Sequence, residues 1–159
     1  MKTNMPGPRY QALLQLLHTA ETLWNSSRIF FARWDLSPSQ FNILNILWLE
    51  PDGTTQIELS RRLIMHRSNV TGLVDRLEGR GLVRRQAHAS DRRAWRVQLS
   101  PTGRELLEQI LPEYYAAAEQ IWGKLPVRRA AQLVRELGNV AANAGRMAAT
   151  AREVSHDNR

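Results

Sequence analysis

Arg67, Ser68, Asn69, Thr71, Gly72 and Arg76 fall within ten positions, and their chemistry suits the edges and phosphates of a nucleic acid. An asparagine amide can pair with adenine, a guanidinium fork with guanine, and short hydroxyls with bases or phosphates. A glycine on the same face lets the backbone approach a groove closely. Val70, Leu73, Val74 and Leu77 interleave with them at steps of one, three and four. A helix over this segment therefore buries those four and turns Ser68, Asn69, Thr71, Gly72, Asp75 and Arg76 outward. His66 stands at the helix start, where it is a poor N-cap by preference and a candidate for touching a phosphate. A polar helix face is ordinarily only solvated, so the assignment depends on the surroundings.

Those surroundings are basic. The chain has 159 residues and a formal net charge of +7, with a sequence pI near 10.9. Between Ile57 and Val97 ten arginines (61, 62, 67, 76, 80, 84, 85, 92, 93 and 96) face four acids (Glu58, Asp75, Glu78 and Asp91), a local excess of +6. The excess points to a polyanion, and arginine rather than lysine suits forked contacts to phosphate and guanine.

The elements that must hold this helix are legible on both sides. Ser37-Pro38 with Gln40 makes a capping box that opens a helix through Ile43, Leu44, Ile46, Leu47 and Trp48, and Pro51-Asp52-Gly53 stops it. Thr55 and Glu58 repeat the cap for a short helix carrying Ile57, Leu59 and Leu63. After the segment from Arg67 to Arg80, Gly79-Arg80-Gly81 offers a left-handed C-cap. Two strand-like pieces follow, Leu82 to Arg85 and Trp95 to Leu99, with a polar tip between them. Upstream, Leu13, Leu16, Leu17, Ala20, Leu23, Trp24, Phe30 and Phe31 predict a long amphipathic helix from Tyr10 to Trp34. Downstream, Ser100-Pro101 starts a helix that Pro112 breaks or kinks, and Tyr114 to Trp122 can resume it. Pro126 opens a last helix whose seam Ala130, Val134, Leu137, Ala141, Ala144 and Ala148 is heptad-like, with small residues that permit close helix approach.

The fold expected is mainly α with a small β wing: a winged helix-turn-helix over residues 37–100, helical regions at 1–36 and 101–152, and a polar tail at 153–159 that frays. Residues 58–107, ELSRRLIMHRSNVTGLVDRLEGRGLVRRQAHASDRRAWRVQLSPTGRELL, resemble the MarR family of bacterial regulators. That resemblance implies a two-fold homodimer built by the flanking helices, with Val134, Leu137, Ala141 and Ala144 at its interface. It implies that the segment from Arg67 to Arg80 enters the major groove of double-stranded DNA. It also implies that Arg93, beside Arg92 at the wing, enters the minor groove while Asp91 braces the wing; an aspartate that only caps a turn is the alternative. His66 and Ser60 depart from the family, which usually carries Ser or Thr, and Ala, at those positions.

The resemblance further implies release by a small aromatic, phenolic or carboxylate effector. Trp24, Arg28 and Trp48 are the candidate pocket, although aromatics at helical spacing more often pack a core. The function expected is sequence-specific repression from a pseudo-palindromic operator; an effector-independent architectural DNA-binding protein is the rival. No cysteine is present, so thiolate zinc, disulfides and thiol chemistry are excluded, and no metal or cofactor is expected. His18, His66, His88 and His156 form no H-E-x-x-H, and no phosphate loop or nucleophile elbow occurs, so no enzyme is expected. No apolar run reaches a membrane span and no signal h-region opens the chain, which predicts a cytoplasmic protein.

Overall fold

The computed structural model describes residues 7–63, 65–87 and 95–157, with backbone alone for Arg67 and for 151–157. In chain order the elements are α1 (Pro8–Ala32), α2 (Pro38–Trp48), β1 (Thr54–Thr55), α3 (Gln56–Leu63), α4 (Arg67–Gly79), β2 (Val83–Ala87), β3 (Trp95–Leu99), α5 (Pro101–Trp122) and α6 (Val127–Asp157). They divide into two compact units, one ending at Pro112 and one from Glu113 onward.

Both predicted capping boxes form. Ser37 Oγ accepts from the Gln40 N–H at 3.2 Å, and Gln40 Oε1 accepts from the Ser37 N–H at 2.8 Å. At α3, Glu58 Oε2 accepts from the Thr55 N–H at 2.9 Å and from the Thr54 and Thr55 hydroxyls, each at 2.8 Å. The Thr55 backbone N–H, then those hydroxyls and the nearby Arg96 charge, hold the Glu58 carboxyl down at about 2. A carboxyl depressed in the folded state stabilises above its ordinary value of 4.5, and that contribution is lost as pH falls from about 4.5 to about 2. Glu58→Ala should cost about 1 kcal/mol near neutral pH, the usual worth of a cap. In thermal unfolding run as a pH series, the gap between variant and wild type should shrink below about pH 4.5; a gap that is constant down to pH 2 would contradict this role for Glu58.

The core of the first unit is built from α2, α3, α4 and the sheet, with the start of α5. Phe41, Ile43, Leu44 and Leu59 are fully buried, as are Val70, Val74 and Leu77 of the predicted α4 stripe, with Leu73 at 7% exposure. Phe31 at the end of α1 stacks on Phe41 with ring centroids 4.1 Å apart. The sheet has order β1-β3-β2, all antiparallel, with Arg85 opposite Val97 and Thr54 also opposite Val97 on the other edge. β1 has no sequence signature, because two threonines carry no periodicity; its partner β3 makes it a strand.

α1 ends at Ala32, two residues short of the expected Trp34, and closes with Asp35 in the left-handed region at φ 52°. The Leu36 N–H donates to Phe31 O and the Asp35 N–H to Ala32 O, the paired hydrogen bonds of a Schellman cap. α4 closes in the same way through Gly81 at φ 70°, with Leu82 N–H donating to Leu77 O and Gly81 N–H to Glu78 O. Pro112 interrupts neither the run of α5 nor its helical assignment; it removes one N–H donor. In the second unit, α6 continues as helix to Asp157, so most of the tail expected to fray beyond residue 152 is helical backbone. No helix among the described residues is long and apolar enough to cross a membrane.

Candidate nucleic-acid interface

α4 is seated from below by Val70, Leu73, Val74 and Leu77, which leaves its other face to Ser68, Asn69, Asp75 and Arg76, all exposed. His66 is the N-cap residue but its ring makes no capping bond; Nδ1 lies 2.9 Å from Ser68 Oγ instead. The first N–H groups of α4 thus have no side-chain acceptor from the cap, and the end keeps its capacity for an anion. Gly72 is half-buried, and a β-carbon there would lie 3.9 Å from Arg76 Nη1, an ordinary contact.

One outward assignment needs correction, and a second residue, outward as expected, is not free. Thr71 does not stand free on the outer face: it is half-buried, with its hydroxyl 2.8 Å from the Gln56 amide of α3. With the Gln56 nitrogen toward Thr71, its oxygen accepts from Arg85 Nε at 3.2 Å and Nη2 at 3.1 Å. Asp75 is exposed, yet its carboxylate is committed to Arg85 Nη2 at 2.5 Å, and Glu78 takes the other end of the same guanidinium. Burial opposes the Arg85 charge, but the two carboxylates outweigh it and raise its pKa. Gln56, Thr71, Asp75, Glu78 and Arg85 therefore tie α3, α4 and β2 together. The signal available in sequence was only that two acids one turn apart precede an arginine on the next strand.

The same accounting changes the meaning of the local charge. Arg62 pairs with Glu50 at 2.9 Å, Arg80 reaches the α1–α2 turn, and Arg85 is held by two acids. Arg61 and Arg76 are exposed and form no ion pair among the described residues. The wing residues Asp91, Arg92 and Arg93 lie outside the described residues, as does the side chain of Arg67. Trp95, at the start of β3 beside that tip, is 55% exposed, a feature the strand pattern did not single out.

The three candidate effector residues do not converge. Arg28 lines a cavity of about 300 Å³ with Ala32, Asp35, Leu36, Ser37, Pro38 and Gln40, and neither Trp24 nor Trp48 is in its wall. Trp24 is 42% exposed on α1. Trp48 is half-buried under the Arg104 guanidinium, 5.0 Å from its ring. On α6, Val134 is 72% and Leu137 40% exposed, and Ala141 and Ala144 are exposed as well. No group of His, Asp or Glu suited to a metal occurs among the described residues.

Comparison with known proteins agrees with this geometry. The model of the MarR family matches residues 36–95. The HTH-type transcriptional repressor YetL of Bacillus subtilis (strain 168) is 26% identical over 138 residues, covering 86% of this chain and 83% of YetL. Among solved structures, CouR from Rhodococcus jostii RHA1 bound to p-coumaroyl-CoA superposes with TM-score 0.75 at 24% identity, over 80% of this chain and 89% of that one. The S. aureus MepR-DNA complex gives TM-score 0.73 at 19% identity, over 85% and 96%. At those identities the two structures speak for the fold: a winged helix with a three-stranded antiparallel sheet.

Proposed function

We propose, on the premise that residues 36–95 make this chain a MarR-family transcriptional regulator, that it is a homodimeric repressor reading a pseudo-palindromic operator in double-stranded DNA. The observation that carries this reading is α4. Its apolar stripe is fully used by the core, while Ser68, Asn69 and Arg76 are left on an exposed face next to an uncapped helix start. In this reading Arg67, Ser68, Asn69 and Arg76 meet the major groove, Gly72 lets the backbone approach, and His66 sits by a phosphate. Thr71 contributes by bracing α4 against α3 through Gln56. Arg93 enters the minor groove, where a narrow groove deepens the negative potential, Arg92 beside it adds a DNA contact, and Asp91 steadies the wing.

The exposed α6 seam of Val134, Leu137, Ala141 and Ala144 supports a helix-to-helix dimer contact. The ligand named with CouR, an aromatic thioester, supports an aromatic effector for this chain, and Arg28 in its cavity supplies a cation for a carboxylate. Such an effector releases DNA only by binding one conformation of the dimer better than another. The protein then works in the cytoplasm and catalyses nothing.

Footprinting against DNA fragments selected from the genome tests the proposal. The expected result is two protected half-sites about one helical turn (~10 bp) apart. Asn69→Ala should cost ~1–3 kcal/mol, concentrated at one base position, whereas Arg93→Ala should weaken binding broadly and lower the salt slope by about 1. Uniform coverage without half-sites would favour the architectural rival.

A further inference from the structure

Arg80 is the C-cap residue of α4, and its own N–H donates to Arg76 O at 3.2 Å. Its side chain leaves that helix altogether. Nη1 donates to Asp35 O at 2.5 Å and Nη2 to Trp34 O at 3.2 Å, with the Asp35 carboxylate 3.7 Å away. Those two carbonyls, 45 and 46 residues earlier in the chain, belong to the turn that closes α1. Carbonyls at a helix C-terminus lack intrahelical donors and sit at the negative end of the helix dipole, so they suit a cation with two diverging N–H groups. One guanidinium therefore joins two Schellman caps, that of α1 and that of α4.

We propose that Arg80 is a positioning residue for DNA reading: it locks the C-terminal end of α4 to the α1–α2 turn, so that the seating of the recognition helix depends on that turn. The inference rests on α4 being the reading helix. Asn69 stands eleven residues before Arg80, about 16 Å along the helix at 1.5 Å per residue, so a small shift at the locked end re-aims the residues at the other. The far side of the turn is not idle surface. Asp35 and Leu36 line the cavity beside Arg28, so one of the two residues whose carbonyls Arg80 grips also borders a solvent-accessible space. Asp35 is also the one described residue other than glycine in the left-handed region, a conformation that needs its neighbours to hold it.

The test measures affinity for the selected operator and for a scrambled duplex by fluorescence anisotropy over a KCl series, with Arg80→Ala, Arg80→Lys and Asp35→Asn. Arg80→Ala should weaken the operator about tenfold while leaving the scrambled duplex and the salt slope as in wild type. Lysine keeps the charge but not the fork, so Arg80→Lys should recover only part of the loss. Asp35→Asn keeps both carbonyls and tolerates the left-handed backbone, so it should stay within about twofold. Equal losses on both duplexes, or a salt slope lowered by about 1, would make Arg80 a phosphate contact and overturn the proposal. Hydrogen exchange without DNA gives an independent arm on the conservative variant. In Arg80→Lys the amides of Leu36 and Leu82, one closing each cap, should lose protection together; loss at Leu82 alone overturns the lock. If the wild type itself does not distinguish operator from scrambled DNA, the repressor reading fails, and the exchange arm still decides whether Arg80 joins the two caps.

Discussion

Glutamates at Leu137 and Ala141 together are expected to yield a folded monomer whose operator affinity is lower by at least about a hundredfold. The positions are four residues apart on one stripe of α6, flanked by Val134 before them and Ala144 after. All four are exposed in the isolated chain, so carboxylates there meet water and leave the chain's own packing alone. In a two-fold dimer the same stripe meets its own copy, and the double variant puts four carboxylates into one apolar seam. Each must be desolvated beside like charges, a cost of several kcal/mol per ion that no partner offsets. Loss of the dimer converts two tethered half-site contacts into one, and effective concentration alone makes that difference 10²- to 10⁴-fold, roughly. Sedimentation equilibrium and anisotropy on the same samples check it. A variant that sediments as a dimer would sink the seam; a monomer with undiminished operator affinity would sink the two-half-site reading.

What was legible in the sequence is what is settled within a turn or two of chain. Ser37 with Gln40 and Thr55 with Glu58 announce helix starts because cap and partner are three residues apart, and both boxes form. The period of Val70, Leu73, Val74 and Leu77 identified the buried face of α4, and Gly81 its end. Periodicity says that a face wants cover without saying what covers it. The α1 stripe illustrates this, since of its residues Phe31 is buried while Leu13, Leu17 and Trp24 lie on the surface of the chain.

What was not legible depends on residues far apart in sequence. β1 exists because β3 lies beside it, and Arg80 finds its acceptors 45 residues upstream. The candidate site suffered from the same blindness. Thr71 reads as outward because the helical wheel places it there, but it is half-buried with Gln56 of α3, and Asp75, outward as expected, is bonded to Arg85 of β2. The local +6 is likewise a poor measure of charge offered to DNA, since Arg62, Arg80 and Arg85 are bonded within the lobe. The chemistry of Asn69 and Arg76, by contrast, needs only exposure on a helix whose other face is buried, and both have it.

Gly103→Ala should destabilise the protein by about 2 kcal/mol, although it replaces glycine by the best helix former inside a helix. Gly103 is buried in the first turn of α5, and a β-carbon there would lie 2.0 Å from Leu82 O and 3.2 Å from a Leu99 methyl. The obstacle is backbone, which cannot rotate away as a side chain can. Nor can the Leu82 backbone retreat easily, because its carbonyl accepts from the Ser100 N–H at 3.1 Å and its N–H, on the preceding peptide, closes the α4 cap on Leu77. The Ser100 hydroxyl adds a third tie, donating to Gly81 O at 2.5 Å and accepting from the Gly103 N–H at 2.9 Å. Overpacking of this kind costs up to ~3 kcal/mol, and the gain in helix propensity offsets about 1. For a chain of this size the net effect should lower the Tm by about 4–8 °C. Gly79→Ala is the matched control: Gly79 is also helical, has open space where its β-carbon would go, and should be neutral or stabilising by a few tenths of a kcal/mol or more. Because the residue whose carbonyl must move also caps α4 through its own N–H, Gly103→Ala should weaken operator binding at temperatures where the variant is still fully folded. Equal Tm shifts for the two alanines would mean that α5 is not seated on the Leu82 carbonyl.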